Sequence, residues 1–432
     1  MNERSHRNRY LVSLTLLAAL LPYLVKQYDY YETTGLAALA YSGVIAVAFL
    51  AGALVLQDRP VLRRATAILT RSPHFLVYLV LLGLSQYLGG VLYGGASVAG
   101  SFRFLGYLLM ALLGYIVFPA AIAGNNHPFW KTLAWIGVIS AFLGLWVVVT
   151  GRTSFLGLTL QQDDLMSALG LYSTRGPFHE PNIYGFVVTL GMVGLLYRLQ
   201  DSGRRLVPVL LFLMCAAAVL FSWSRGIYLA LAVGLLTWLL TGSAPSRKVL
   251  FAAAAATVGL IVVLSLENIP VLSGLLQIEI GLSGREVLWP AAMRAIAERP
   301  LLGYGLGNLI GPVAAHGGIF NGVAMGAHNS YLDMGVQAGA PLGLAYLLVV
   351  GVSWFRLWRS GLQGTERRAL SAALAAGFVA TLFLSYGLGG ASYGALVFTM
   401  ILGLANQVGL AGPAAEQNQD IIENRMDTYG LT

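Results

Sequence analysis

The chain has 432 residues, of which 57% are hydrophobic and only 10% charged, with a mean hydropathy of +0.73. So apolar a composition excludes a soluble globular domain of ordinary make-up and describes an integral membrane protein. The net charge of +8 is spread over alternate loops rather than gathered in one patch, a membrane pattern that argues against a nucleic-acid partner.

Apolar stretches of about 17 to 25 residues suffice to cross a hydrocarbon core of about 30 Å. Twelve occur, at approximately 10–25, 33–56, 74–93, 101–123, 132–151, 182–199, 206–222, 225–242, 248–266, 333–355, 369–387 and 392–411. The expected fold is an all-α integral membrane protein of about twelve transmembrane helices, a single polytopic domain over 1–432. The first stretch follows Arg4, Arg7 and Arg9, but no small-x-small cleavage site comes after Leu20-Leu21-Pro22-Tyr23, so it reads as a retained span. With the N-terminus in the cytoplasm, the inner segments hold 18 of the 26 Lys and Arg, including Arg59, Arg63, Arg64, Arg71, Arg356, Arg359, Arg367 and Arg368. That is the positive-inside bias, and an even number of spans returns the C-terminus to the same side. The single cysteine, Cys215, falls within a span, which leaves no disulfide and no thiolate metal site.

Two outer loops are long, 152–181 and 267–329, and long loops on a rigid scaffold are where function concentrates. In the first, 161–169 reads as a short surface helix. Then comes Ser173-Thr174-Arg175-Gly176-Pro177-Phe178-His179-Glu180, with Pro181 and Asn182 starting the sixth span. In the second, Ser283-Gly284-Arg285-Glu286 has capping-box spacing, with Ser283 as the cap. It predicts a helix from near Gly284, kinked at Pro290 and stopping before Pro300. The run Gly303-Tyr304-Gly305-Leu306-Gly307-Asn308 has the look of a phosphate-binding loop, but no strand precedes it, so it reads as a flexible turn.

Eight basic residues fall outside the inner set: Lys26, Arg103, Arg152, Arg175, Arg225, Arg285, Arg294 and Arg299. A guanidinium at the edge of hydrocarbon snorkels, pairs with an acid or binds an anion. The plain reading of Arg225, beside Trp223, is an interfacial anchor, and that of Arg175 is a loop brace with Glu180. Together Arg175, Arg225 and Arg285 would make a cationic pocket for a diphosphate, because guanidinium offers a planar fork of donors and keeps its charge. His328 heads Ala327-His328-Asn329-Ser330-Tyr331-Leu332-Asp333, where the second loop re-enters the membrane as the tenth span. Imidazole is the side chain best suited to take a proton near neutrality, although a lone loop histidine is commonly structural. His179 and His316 are outer alternatives. The outer histidines lack the i,i+4 spacing of a zinc site, so neither metal nor another cofactor is expected.

In order, Arg175-Gly176-Pro177-Phe178 with Pro181-Asn182 and Gly185, then Ser224-Arg225-Gly226, then Gly284-Arg285 with Trp289 and Pro300-Leu301-Leu302-Gly303-Tyr304-Gly305, then His328-Asn329-Ser330-Tyr331-Leu332, resemble the O-antigen ligase/polymerase superfamily. The likeness covers about residues 170–345. It implies a glycosyltransferase of GT-C-type architecture acting on the periplasmic or extracellular face of the cell inner membrane. The donor would be a glycan on undecaprenyl diphosphate, and the acceptor either lipid A–core (ligase) or a second lipid-linked glycan (polymerase). The family's two arginines and histidine map onto Arg175, Arg285 and His328, with Arg225 in a further recurrent element. His328 would take the proton of the attacking hydroxyl, with inversion and no metal, and Asn329 or Tyr331 would orient the imidazole or the acceptor. One dominant outer loop favours a ligase over a polymerase. A lipid-linked glycan or polyanion transporter is the rival of another class, disfavoured by spans nearly free of charge and by the lack of an internal repeat.

Overall fold

The computed structural model describes residues 3–20, 35–93, 98–156, 158–163, 173–178, 180–201, 206–241, 284–385, 387–390 and 392–410. Helices α1 (Glu3–Ala18), α2 (Gly35–Leu56), α3 (Arg59–Thr70), α4 (Pro73–Tyr93) and α5 (Val98–Leu112) lead into a π-helical turn (Leu113–Val117) and α6 (Phe118–Ile122). After α7 (His127–Thr150), two small antiparallel pairs form, β1 (Ser154–Phe155) with β2 (Leu158–Thr159) and β3 (Gln161–Asp163) with β4 (Ser173–Gly176). Then come α8 (Pro181–Asp201), α9 (Leu206–Leu220) and α10 (Arg225–Leu240). The second long loop holds α11 (Arg285–Glu298), α12 (Ile310–Ala315), a hairpin of β5 (Ile319–Phe320) with β6 (Val323–Ala324), and α13 (Ser330–Ala338). The last helices are α14 (Ala340–Arg359), α15 (Gly364–Thr381) and α16 (Tyr393–Leu410).

Four helices, Ser101–Ile122, His127–Thr150, Pro181–Gln200 and Ala340–Arg359, are long and apolar enough to cross a membrane. The pair Ser42–Leu56 and Arg59–Thr70, bent by 108° at its break, makes a fifth if counted as one broken span. Four more, Pro73–Gly89, Leu206–Leu220, Arg225–Leu240 and Tyr393–Val408, are apolar but shorter. Among the described residues the protein is thus a mostly helical membrane protein with four to five candidate spans. The segment expected at 248–266 lies outside them.

Local chemistry sets the breaks. In α3 the buried Val61, Ala65 and Ile68 recur at helical spacing, while Arg59 and Arg63 face outward. That is the pattern of a helix lying along a surface. The tenth span differs from expectation, since 333–355 is split at Gly339 into α13 and α14. Gly339 has φ of 88°, and a Cβ there would lie 2.3 Å from the carbonyl oxygen of Leu301. Only glycine fits such a turn. Pro341 then opens α14 at a position where its missing N–H costs nothing.

Without a hydrophobic force between lipid-bathed helices, close backbone approach must supply the packing. α7 and α8 meet through Gly137 and Gly191, where a Cβ on either would come within 2.5 Å of the other's Cα. Gly194 meets the Trp130 carbonyl at the same distance.

Polar groups sort to the two ends of the bundle. At one end Asn8 donates to Asp58 (3.0 Å), Arg356 to the Arg71 carbonyl (2.7 Å) and to Asn406, Asn406 to Ser72 (2.8 Å), and Asn126 to Glu366. Arg71 and Arg356 belong to the set read from sequence as inner. The long loops lie beyond the opposite helix ends.

Gly191→Val is expected to cost about 1–3 kcal/mol by overpacking against α7, read as a lower thermal midpoint in detergent. Gly43→Ala, whose Cβ would meet nothing within 4 Å, should leave it unchanged. Equal midpoints for the two variants would refute backbone contact as the basis of the α7–α8 packing.

Candidate functional site

Arg175 is half-buried on β4, between buried Thr174 and Gly176. Residues 161–163, expected to open a surface helix, instead form β3, paired with β4 across an irregular register at Gln161/Gln162. Residues 164–172 lie outside the described chain. The backbone N–H of Thr174 donates to the Phe221 carbonyl (2.9 Å), and its hydroxyl accepts from Gly176 N–H (3.0 Å). A Cβ on Gly176 would come 3.0 Å from the Tyr184 ring, so the strand lies directly on α8. A second tie follows, from the Ser224 hydroxyl to the Asn182 side-chain oxygen. The segments bearing Arg175 and Arg225 are thus fastened together on both sides of the α9–α10 turn. Trp223 in that turn is 38% exposed. Ser224 is buried and bonded.

Arg285 opens α11 as expected, but the helix is capped by Gly284 at φ 81° with no side-chain cap bond. Ser283 lies outside the described residues, and Pro290 is accommodated inside the helix. The guanidinium of Arg285 donates from Nη2 to the Phe383 carbonyl (3.4 Å) and sits over the Phe383 ring, 5.1 Å from its centroid. Gly226 approaches that same ring closely enough that a Cβ would come within 2.6 Å of it. The glycine after Arg225 therefore lets α10 reach the platform on which Arg285 rests. Burial depresses the Arg285 guanidinium below its ordinary range; Glu180 opposes this, the positive charge of Arg225 adds to it, and Glu286 opposes it in turn. Arg285, Arg225 and Glu180 thus share one electrostatic neighbourhood, built from both long loops and the start of α10.

His328 is half-buried and holds a left-handed φ of 50°, uncommon for a residue with a Cβ and costing about 1–3 kcal/mol unless its surroundings fix it. The surroundings do so. Trp289 Nε1 donates to the Ala327 carbonyl (3.0 Å), and Asp333 Oδ1 accepts the Ala327 N–H (2.9 Å). Asn329 Oδ1 caps α13 by accepting the N–H groups of Tyr331 and Leu332, each at 3.1 Å. Ser330 donates to the Leu384 carbonyl (2.6 Å), and the Ser385 hydroxyl donates to Asp333 Oδ2. The Tyr331 hydroxyl pairs with Thr381 at 2.9 Å, and its ring packs 5.0 Å from that of Tyr346. The structure thus engages Asn329 Oδ1 in the cap and the Tyr331 hydroxyl with Thr381.

The residue facing His328 electrostatically is Asp333, 2% exposed and the only carboxylate in the buried class among the described residues. Burial pushes its carboxyl above the ordinary range, while the Ser385 hydroxyl, the charge of His328 and the backbone N–H groups of Ala327 and Asn329 pull the other way. Sequence reasoning noted Asp333 only as a span-end charge. A lone acid beside an apolar stretch was the available signal. Phe383, Leu384 and Ser385 gave none, being ordinary residues within an apolar segment.

The glycine run is a packed turn rather than a flexible one. Tyr304 and Gly305 N–H donate to the carbonyls of Val336 (3.0 Å) and Gln337 (2.8 Å), and Gly307 N–H to Gln337 Oε1 (2.7 Å). Its amides serve the end of α13 instead of a phosphate. His316 pairs with Glu298 (2.9 Å), and Arg294 donates to the His316 carbonyl (2.7 Å). These contacts brace α11 against α12. His179 lies outside the described residues.

Compared with known families, residues 209–347 match the one described as O-Antigen ligase. No curated protein matches the chain. The matched stretch contains Ser224-Arg225-Gly226, Gly284-Arg285, Trp289 and His328, the residues that meet around Phe383 and α13; Arg175 precedes it. Over residues 209–347 the chain is thus similar to the O-antigen ligase family.

Proposed function

We propose that the protein is a metal-independent, inverting glycosyltransferase of the ligase type. It moves a glycan from undecaprenyl diphosphate to a sugar hydroxyl of lipid A–core at the outer face of the cell inner membrane. In this reading the chain has twelve spans in a GT-C-type arrangement, both termini are cytoplasmic, and the loops 152–181 and 267–329 carry the site. The observation that carries it is the half-buried Arg285, within electrostatic reach of Arg225 and on the same Phe383–Ser385 support as the turn bearing His328.

Two guanidiniums held near each other repel, and a bound dianion relieves that repulsion. Arg285 also opens α11, where the free amides and the helix dipole favour negative charge. In the reaction the acceptor oxygen attacks the anomeric carbon from the face opposite the diphosphate. The bond between that carbon and the phosphate oxygen breaks, and its electron pair leaves with the diphosphate. The acceptor proton passes to His328. Charge on the departing oxygen grows along this path, so Arg175, Arg225 and Arg285 stabilise the transition state more than the bound donor, as a metal ion does elsewhere. The structured second loop, with α11, α12, a hairpin and α13, supports ligase over polymerase, because one large outer element suits one fixed acceptor.

In a reconstituted assay with an undecaprenyl-diphosphate glycan donor, His328→Ala and Arg285→Ala are each expected to lower turnover by about 100-fold or more in folded protein. Transfer to lipid A–core supports the ligase, and growth of a second lipid-linked glycan would make it a polymerase. Activity surviving His328→Ala would remove the general base from the scheme. Arg285→Lys keeps the charge but loses the planar fork and the seat on Phe383, so a partial loss of about 10-fold is expected. Wild-type turnover in that variant would mean that charge alone matters at this position.

A further inference from the structure

We propose that Asp333 is a positioning residue for His328, its buried carboxylate holding the backbone of the turn that carries the histidine and tying it to the end of α15. This rests on the reading of His328 as the base. One oxygen accepts the N–H of Ala327, the residue before His328, at 2.9 Å, and the N–H of Asn329, the residue after it, also favours the charged carboxylate. The other oxygen accepts the Ser385 hydroxyl, which ties the clasp to the end of α15.

A left-handed residue with a side chain persists only where its surroundings over-determine it. Here Asp333 holds the Ala327 N–H while Trp289 holds the Ala327 carbonyl, so both polar backbone groups of the residue before the strained one are fixed. Burying an ion is costly without compensating donors, and those donors come from the turn that the carboxylate holds. The charged groups facing Asp333 are few. His328 lies on its own turn, and from α5 comes Tyr107, a phenol neutral at assay pH, with Arg103 beyond it. Arg103 is itself seated against Gly307, where it fills the space a Cβ would take. His328 is the histidine whose charge acts on this carboxylate, so the charge of Asp333 bears on the transfer step in which the imidazole takes part.

The test compares wild type, Asp333→Asn, Asp333→Glu and His328→Ala in the reconstituted transfer assay, together with hydrogen exchange of the peptide spanning 325–332. The base must be neutral to act, so activity rises with pH through its titration. Removing the negative charge destabilises the imidazolium and moves that midpoint to lower pH. For Asp333→Asn the expected result is a kcat lower by about 10- to 100-fold, a donor KM changed by less than about 3-fold, an acid-limb midpoint lower by about 0.5 to 1 unit, and faster exchange at 327–329. Asp333→Glu should restore the midpoint and part of the rate. A folded Asp333→Asn protein with unchanged midpoint and exchange overturns the proposal. Faster exchange with an unmoved midpoint also overturns it, by reducing Asp333 to a structural brace. Full activity in His328→Ala would instead sink the catalytic reading of the histidine. The exchange at 327–329 reports on the clasp independently of that outcome.

Discussion

The carbonyls and hydroxyl of Phe383, Leu384 and Ser385, just past the end of α15, hold the site together. Beyond a helix terminus the backbone acceptors have no intrahelical partner, and in an apolar setting they must find donors elsewhere. Here the donors come from the outer loop, with Arg285 on the Phe383 carbonyl and Ser330 on that of Leu384. Ser385 reverses the direction by donating to Asp333. A helix end that had to be satisfied thus becomes the dock for α11 and α13, and the distance between cation and histidine is set by three consecutive residues.

Steric room explains why the arginines stand beside glycines. Gly176 lies against Tyr184, Gly226 against Phe383 and Gly284 against Phe320, each at a distance that a Cβ would violate or crowd. Gly185 does the same against Ile227 and lets α8 and α10 close. Each arginine is therefore carried on closely packed backbone, and Arg285 is itself drawn partly out of water, which strengthens its field. Burial of Arg285 and the nearness of Arg225 act in the same direction on its charge. A site so arranged gains from any anion that enters it.

Much of this was legible in the chain. Hydropathy marked a membrane protein, alternate loops separated the basic residues by face, and Gly284-Arg285 marked a helix start that the structure places at Arg285. Arg71 and Arg356, both read as inner, meet at one end of the bundle. The readings that changed share one cause. The strand at 161–163, the break at Gly339 and the packed turn at 303–307 all depend on partners distant in sequence: Ser173–Gly176, Leu301 and the end of α13. Local propensity does not see such partners.

The sequence by itself determined the solvent, a membrane, because hydropathy is a property of short segments. Only the tertiary structure decided that Asn329 caps α13, that Tyr331 meets Thr381 and that Asp333 joins the Ala327 N–H to Ser385. It also decided that Arg285 and Arg225 share one neighbourhood. The ties to Thr381, Ser385 and Phe383 span 50, 52 and 98 residues of chain, where hydrogen-bond satisfaction and close packing choose the partners.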